Sequence, residues 1–303
     1  MERSPNPMLP SAAGRRAALS GNALAVASML TWAAGFPAAE LLLEDWPATS
    51  LIAARLGCAV AMLLPLWLLV DGPRAVLGAR WGRGLLVGGV AFGLGTWLLL
   101  VAQDMTDAVT VAIILSASPI AAVLIEMLWD GRRLTRGFAI GIVATVLGGA
   151  LATGGGGVAL GAGALVAIAA CFLFSWGSFA AVRDFPTLSP IGRTTLTLAG
   201  GFAATAVITL LSDAAGLPVR PTTQITATHI GLLAIYGIAG MALSQVMFIA
   251  SIGRLGVAVA SFHVNIVTFY VMLIMLALGG TWDWQAALGA GIVAVGVILA
   301  QRS

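Results

Sequence analysis

Long apolar stretches recur along almost the whole chain, and short segments rich in charge, Gly or Pro separate them. A bilayer core of about 30 Å needs roughly 20 apolar residues per helix. Because the stretches have this length, the pattern predicts an all-α integral membrane protein. Its ten transmembrane helices are predicted at residues 21–43, 48–70, 82–102, 107–128, 137–153, 161–182, 190–211, 227–250, 256–278 and 285–301.

The first apolar stretch follows Arg15 and Arg16, as the apolar part of a secretory signal would. It continues from about Asn22 to Leu43, which is too long for that part of a signal peptide. We therefore expect it to be retained as the first transmembrane helix, preceded by a cytoplasmic tail over residues 1–20.

The second half of the chain repeats features of the first at an offset of about 138 to 148 residues. The clearest match joins predicted helices 5 and 10, where Gly141 and Gly148 recur at the same spacing as Gly289 and Gly296. The chain thus divides into two predicted units, residues 21–153 and 161–303. The alternative is that Gly- and Ala-rich helices resemble one another through composition alone.

Each predicted unit holds five helices, an odd number, so the two units insert into the membrane in opposite orientations. Inverted repeats of this kind are typical of secondary transporters, which bind their substrate near the middle of the membrane where the units meet. The pattern therefore predicts two inverted five-helix repeats and a transport function.

Composition excludes several other classes of protein. The chain is 60% hydrophobic and only 9% charged over 303 residues, and its mean hydropathy of +1.03 is incompatible with a water-soluble surface. It has no Lys, so it cannot form the Lys-containing phosphate loop of an ATPase. Its two His lie far apart, at His229 and His263, which argues against an intramembrane enzyme or a metal site.

Arginine is distributed very unevenly between the two predicted sides of the membrane. Thirteen of the 15 basic residues fall in the tail, at the C-terminus or in alternate loops, whereas only Arg220 falls on the other side and Arg55 lies inside a span. The positive-inside rule then predicts that both termini are cytoplasmic, in a bacterial-type inner membrane. Because these Arg are scattered, a nucleic-acid partner is not expected.

Two segments resemble a known family. Residues 32–37, WAAGFP, followed by Pro47 and Arg55, resemble the helix 1 to helix 2 signature of the drug/metabolite transporter superfamily, in its ten-helix EamA-type branch. Residues 248–261, FIASIGRLGVAVAS, resemble the end of helix 8 and the start of helix 9. The chain departs from the family where Gly131-Arg132 and Gly280-Thr281 replace the usual Gly-Glu, and where Asn265 replaces the usual Pro.

The resemblance implies a secondary carrier, because many members export amino acids, metabolites or drugs. Within the family the chain is similar to the aromatic amino-acid exporters. The expected partners are a small-molecule substrate and the lipid bilayer, with no cofactor and no ATPase subunit.

Polar and aromatic side chains inside the spans are the candidate substrate-binding residues, because an unsatisfied polar group is costly in hydrocarbon. The repeat-related Trp32 and Trp176 would place aromatic faces beside a central cavity. His263 is either a substrate or gating residue or a satisfied interior group. The full set is Trp32, Trp97, Ser116, Ser118, Trp176, Gln245, His263, Asn265 and Tyr270.

Glu40 and Arg55 lie at similar predicted depth on consecutive antiparallel helices. Because an unpaired charge in the membrane is expensive, we predict a structural ion pair between them.

These features predict an exporter of small organic solutes, especially amino acids with aromatic or apolar side chains, working by gradient-driven alternating access. The spans carry no pair of acidic residues at mid-membrane that could relay protons, which favours passive flux. The alternatives are a carrier of other metabolites or lipophilic drugs, and proton coupling through His263.

Overall fold

The computed structural model describes residues 12–115, 118–130, 136–152, 161–255 and 260–301. Within these ranges every regular element is helical, with π-helical and 3₁₀ segments joined to α-helices. The predicted all-α fold class is confirmed.

The first half of the described chain begins with two long helices. They are followed by a short helix, a long helix with a π-helical middle at Gly88–Leu94, and three further helices. Their bounds are α1 (Ala12–Leu43), α2 (Ala48–Asp71), α3 (Pro73–Leu77), α4 (Trp81–Met105), α5 (Ala108–Leu115), α6 (Ser118–Asp130) and α7 (Arg136–Ala152).

The second half is also built from long helices, and one of them has a π-helical middle at Ile235–Leu243. A 3₁₀ segment at Phe262–Ile266 leads directly into the helix that follows it. The bounds are α8 (Ala162–Asp184), α9 (Pro190–Ala214), α10 (Ala227–Leu255), α11 (Val267–Ala277) and α12 (Trp284–Gln301).

Several helices are longer than the apolar pattern predicted, among them α1 and α4. Helix α1 begins at Ala12, inside the predicted tail. Helix α4 continues to Met105, which brings Gln103 into the helix. The side-chain amide of Gln103 donates a hydrogen bond of 2.9 Å to the carbonyl of Phe36, so this polar residue is satisfied where it is buried. The apolar pattern predicts too early an end for α4, because it cannot show that the Phe36 carbonyl accepts a hydrogen bond from Gln103.

The helices have the length and surface of membrane spans. Seven helices within the described ranges are long and apolar enough to cross a bilayer, and two shorter apolar helices cover His263–Ala277 and Trp284–Gly296. Large apolar side chains face outward, as Leu69 does at 84% exposure. The chain is therefore a multi-pass membrane protein, and the count of ten spans stays a prediction.

Helix partners exchange between the two halves of the chain. Helix α1 packs against α10, and α8, its counterpart in the predicted repeat, packs against α4. Helices α2 and α9 pack against each other, as do α7 and α12. The two π-helical segments also lie in the repeat-related helices α4 and α10. This exchange favours the predicted repeat, whose boundaries stay a prediction.

Polar contacts join the helices at both ends of the bundle. At the end where α1 leads into α2, Asp45 lies 3.3 Å from the His229 ring nitrogen at the start of α10. At the opposite end, Asp184 at the end of α8 forms an ion pair of 2.8 Å with Arg83 at the start of α4. The two contacts join helix ends that correspond in the predicted repeat and that lie on opposite faces of the molecule.

Two apolar clusters fill the interior. The first is built around Trp32, Phe248 and Val264, and the second around Leu56, Phe92 and Tyr236. Phe174 packs against both clusters. The cavity described next lies where the two clusters meet.

Candidate substrate site

A small cavity lies between α1, α2, α4 and α10. Its volume is about 10 Å³, which is about what one water molecule needs. Aromatic, aliphatic and polar side chains all contribute to its wall. The lining residues are Trp32, Gly35, Phe36, Arg55, Leu99, Leu100, Gln103 and Tyr236.

One side of the cavity is aromatic. The Trp32 ring is 6% exposed, stacks on Phe174 at 5.4 Å and an interplanar angle of 11°, and meets Phe36 at 5.8 Å. Tyr236 of α10 is also buried and lines the cavity. These contacts hold the Trp32 ring in one orientation beside the cavity.

Arg55 contributes a buried positive charge to the cavity. It is 2% exposed, and its Nε donates to the carbonyl of Tyr236 at 3.2 Å while Nη2 donates to that of Gly240 at 2.9 Å. The guanidinium carbon also lies 4.0 Å from the centre of the Tyr236 ring, a cation–π contact. Both accepting carbonyls belong to the π-helical part of α10.

Glycines let α10 come close enough to make these bonds. A Cβ on Gly237 would lie 2.9 Å from the carbonyl oxygen of Arg55, and one on Gly240 would lie 3.0 Å from Cα of Gly35. Any larger residue would therefore push α10 away from α1 and α2. In a π-helix the carbonyls no longer follow the regular α-helical pattern of hydrogen bonds, and here two of them accept from Arg55.

The predicted ion pair between Glu40 and Arg55 is wrong, because the structure gives each charge a different partner. The Glu40 carboxylate accepts a hydrogen bond of 3.3 Å from the backbone N–H of Ala108, in the first turn of α5. Arg55 turns instead toward the carbonyls of α10. A carboxylate near a helix N-terminus is favourable, so Glu40 does not need Arg55 as a partner.

The predicted tryptophans have different positions. Trp32 lines the cavity, whereas Trp97 donates to the hydroxyl of Thr49 at 3.2 Å and so links α4 to α2. Trp176 is half-buried and packs against the cluster around Leu56, so it lies outside the set that lines the cavity. The predicted symmetric pair of aromatic walls is therefore not formed at this cavity.

Three other predicted residues are buried with an unsatisfied polar atom. Oγ of Ser118, Nε2 of Gln245 and Oδ1 of Asn265 have no hydrogen-bond partner in the described part of the chain. Unsatisfied groups of this kind are rare in the interior of proteins, and they are candidates for contact with a ligand or water. None of these three residues is in the set that lines the cavity.

The remaining predicted residues stay candidates without a structural assignment. His263 lies in the 3₁₀ segment, with Nδ1 3.3 Å from the carbonyl oxygen of Ala260. Tyr270 packs against the cluster around Trp32. Ser116 lies outside the described residues.

Sequence reasoning missed Gln103 and Tyr236 as cavity residues. Gln103 falls one residue beyond the predicted helix 82–102 and so lies outside the predicted spans. Tyr236 is one of only two Tyr in the chain, and its position inside a predicted span was a usable signal. The contact of its ring with Arg55 cannot be predicted from the sequence, because the two residues are 181 positions apart.

The comparisons with known proteins agree with this architecture. Residues 19–154 match the EamA-like transporter family. Twenty-three chains of known structure are similar to this one. One of them, a protein of solved crystal structure, has a TM-score of 0.68 and 18% identity, over 94% of this chain and 98% of its own. No curated protein matches the chain.

The family match covers the part of the chain that carries the WAAGFP segment and Arg55, and the structural likeness shows the fold over nearly the whole length. Proteins of the matched family are transporters and not enzymes. Residues 19–154 of this multi-pass membrane protein thus match the EamA-like transporter family, consistent with the drug/metabolite transporter superfamily.

Proposed function

We propose that the chain exports small organic solutes, above all amino acids with aromatic or other apolar side chains. The observation that carries this proposal is the composition of the cavity wall. Trp32, Phe36 and Tyr236 supply apolar ring surface, while Arg55 and Gln103 supply a few fixed polar groups. Binding sites for small molecules typically combine a mostly apolar lining with a small number of placed polar groups.

The position of the cavity suits a carrier. Arg55 lies about seven residues beyond the start of α2, roughly 10 Å along the helix at 1.5 Å per residue. With both termini in the cytoplasm, as the Arg distribution favours, the cavity belongs to the outer half of the membrane.

The small volume of the cavity supports alternating access. A site for a drug-sized ligand needs about 300 Å³ or more, so the helices around the cavity must separate before an amino acid enters. The contacts of Asp45 with His229 and of Asp184 with Arg83 join repeat-related helix ends on opposite faces. Breaking one contact at a time would open the site to one side of the membrane at a time.

A counterflow assay in proteoliposomes tests this function. Labelled phenylalanine should exchange against internal phenylalanine, tryptophan or leucine, and an imposed pH gradient should leave the exchange unchanged. Flux that requires the gradient would contradict the passive mechanism. Exchange of lipophilic cations in place of all amino acids would contradict the substrate class.

Trp32 provides the matched test of the site itself. Trp32→Ala removes the stacked ring and should lower the apparent affinity for phenylalanine about tenfold or more, because an aromatic contact and its buried area are lost. Trp32→Phe should retain most of the affinity. Trp176→Ala is the control, since Trp176 does not line the cavity, and an equal loss in that variant would argue against this cavity as the site.

A further inference from the structure

We propose that Arg55 binds the carboxylate of the substrate, so that the solutes carried by this protein bear an anionic group beside their apolar side chain. This inference rests on the proposed function and assigns the charge of its substrate. It is carried by a buried guanidinium that lines the cavity and has no acidic partner among the described residues.

Arg55 has hydrogen-bonding capacity left over. Its bonds to the carbonyls of Tyr236 and Gly240 use Nε and Nη2, and a guanidinium has further N–H donors on Nη1. Nη1 takes no part in the two bonds to backbone carbonyls, and Tyr236 supplies the described side chain that contacts the guanidinium. Since Arg55 lines the cavity, these donors are available to a molecule that enters it.

In the described part of the chain, the positive charge of Arg55 also lacks a negative partner. Among the described side chains, no carboxylate lies within ion-pair distance of Arg55, because Glu40 is bound to the backbone of α5 instead. The two carbonyls and the Tyr236 ring carry only partial negative charge. A buried charge without a counter-charge is costly in the membrane interior, so an entering carboxylate would gain a strong charge-assisted bond.

The guanidinium is already held in place for such a bond. Two carbonyls from the π-helical part of α10 and the face of Tyr236 fix its plane. A planar group that is fixed before binding loses little conformational freedom when a carboxylate docks against its free edge. The aromatic rings of Trp32 and Phe36 lie at the same cavity, where the apolar part of the same molecule would bind.

Three probes that each carry a phenyl ring distinguish the contribution of the carboxylate to binding from that of the ammonium. Phenylalanine has both an ammonium and a carboxylate, phenylpropionate has only the carboxylate, and phenethylamine has only the ammonium. Binding is measured on the purified full-length protein by ligand-dependent thermal shift and by competition against labelled phenylalanine. The wild type should bind phenylalanine and phenylpropionate at least about tenfold more tightly than phenethylamine.

Two variants of Arg55 then test the assignment. Arg55→Gln should remove the preference for the carboxylate probes. Arg55→Lys keeps the charge and loses the planar fork, so it should reduce the preference several-fold. Arg193 is a matched control, because its Nε and Nη2 also donate to two carbonyls, those of Phe185 and Pro186, at 2.8 Å each. Arg193→Gln should leave the ratio of affinities unchanged.

Each result decides the matter. An equal loss of affinity for all three probes in both Arg55 variants would make Arg55 a structural link between α2 and α10, and would overturn the inference. If Arg55→Gln does not fold, Arg55→Lys decides the test. An unchanged ratio between its affinities for the carboxylate probes and for phenethylamine would also overturn the inference. A wild type that prefers phenethylamine refutes the carboxylate site but leaves export of apolar solutes standing. A wild type that binds no probe refutes both proposals.

Discussion

At the scale of single residues, the interior of this protein contains both satisfied and unsatisfied polar groups. Ser28 donates a hydrogen bond of 2.7 Å to the carbonyl of Ser244, and Gln103 bonds to Phe36. By contrast, Nε2 of Gln245 has no partner in the described residues, although Gln245 is buried. An unsatisfied donor lowers stability by about 1–3 kcal/mol, so such a residue needs a functional reason to be there.

Gln245 therefore offers a test that separates function from packing. Gln245→Leu removes the unsatisfied amide with a side chain of similar size, so thermal stability should stay the same or rise while transport falls several-fold. Ser28→Ala is the control, and it should lose about 1 kcal/mol of stability because it breaks a satisfied bond. Both quantities are read from thermal unfolding and counterflow of the same preparations. Full transport in Gln245→Leu would identify Gln245 as a packing residue.

At the scale of helices, the fold depends on glycines that allow very close packing. Gly237 of α10 lies against the backbone of Arg55 and the side chain of Cys58. In the repeat-related helix α4, Gly88 lies against the carbonyl of Thr197 in α9. Both glycines belong to π-helical segments, so the two widened turns are the places where α4 and α10 meet the helices beside them.

Two Gly→Ala changes in the same helix test this packing. Gly237→Ala should destabilise the protein by about 1–3 kcal/mol, because the added Cβ meets backbone atoms that cannot move independently. Gly231→Ala is the matched control in α10, where a Cβ meets nothing within 4 Å. That change should be neutral or stabilise by up to about 1 kcal/mol, because Ala favours the helix. Equal thermal stabilities of the two variants would contradict the close approach.

The sequence predicts the helices better than their partners. Apolar length alone locates α2 and α9 with small errors at their ends, because the bilayer requires a fixed length of apolar helix. It fails for the π-helical segments, since nothing in a Gly-rich apolar stretch distinguishes a π turn from an α turn. It also fails for Arg55, because the carbonyls that accept its hydrogen bonds come from a helix 181 and 185 positions away.

At the scale of the whole molecule, the two halves contribute equivalent contacts to opposite faces. Asp45 meets His229 at one face, and Asp184 meets Arg83 at the other. In the predicted repeat α1 corresponds to α8 and α10 to α4, so the prediction makes the two contacts counterparts. A carrier with this arrangement can exchange one closed face for the other by rocking one half against the other.

Releasing one contact should therefore open one face. Asp184→Asn removes the charge that Arg83 binds, and it should favour the state that is open where α4 begins. Asp45→Asn should favour the opposite state. Spin labels at the exposed Leu77 and Thr187, in a protein whose native Cys are replaced by Ser, should move apart in Asp184→Asn and not in Asp45→Asn. The same label separation in both variants would contradict alternating contacts.

The proposed transport requires that substrate binds at the cavity between Trp32 and Arg55. The most direct measurement is to locate 4-iodophenylalanine bound to the purified protein by anomalous diffraction from its iodine. We expect the iodophenyl ring to lie against Trp32 and Phe36, with the carboxylate facing Nη1 of Arg55. An iodine signal at Ser118 or Asn265, with none at the cavity, would contradict it.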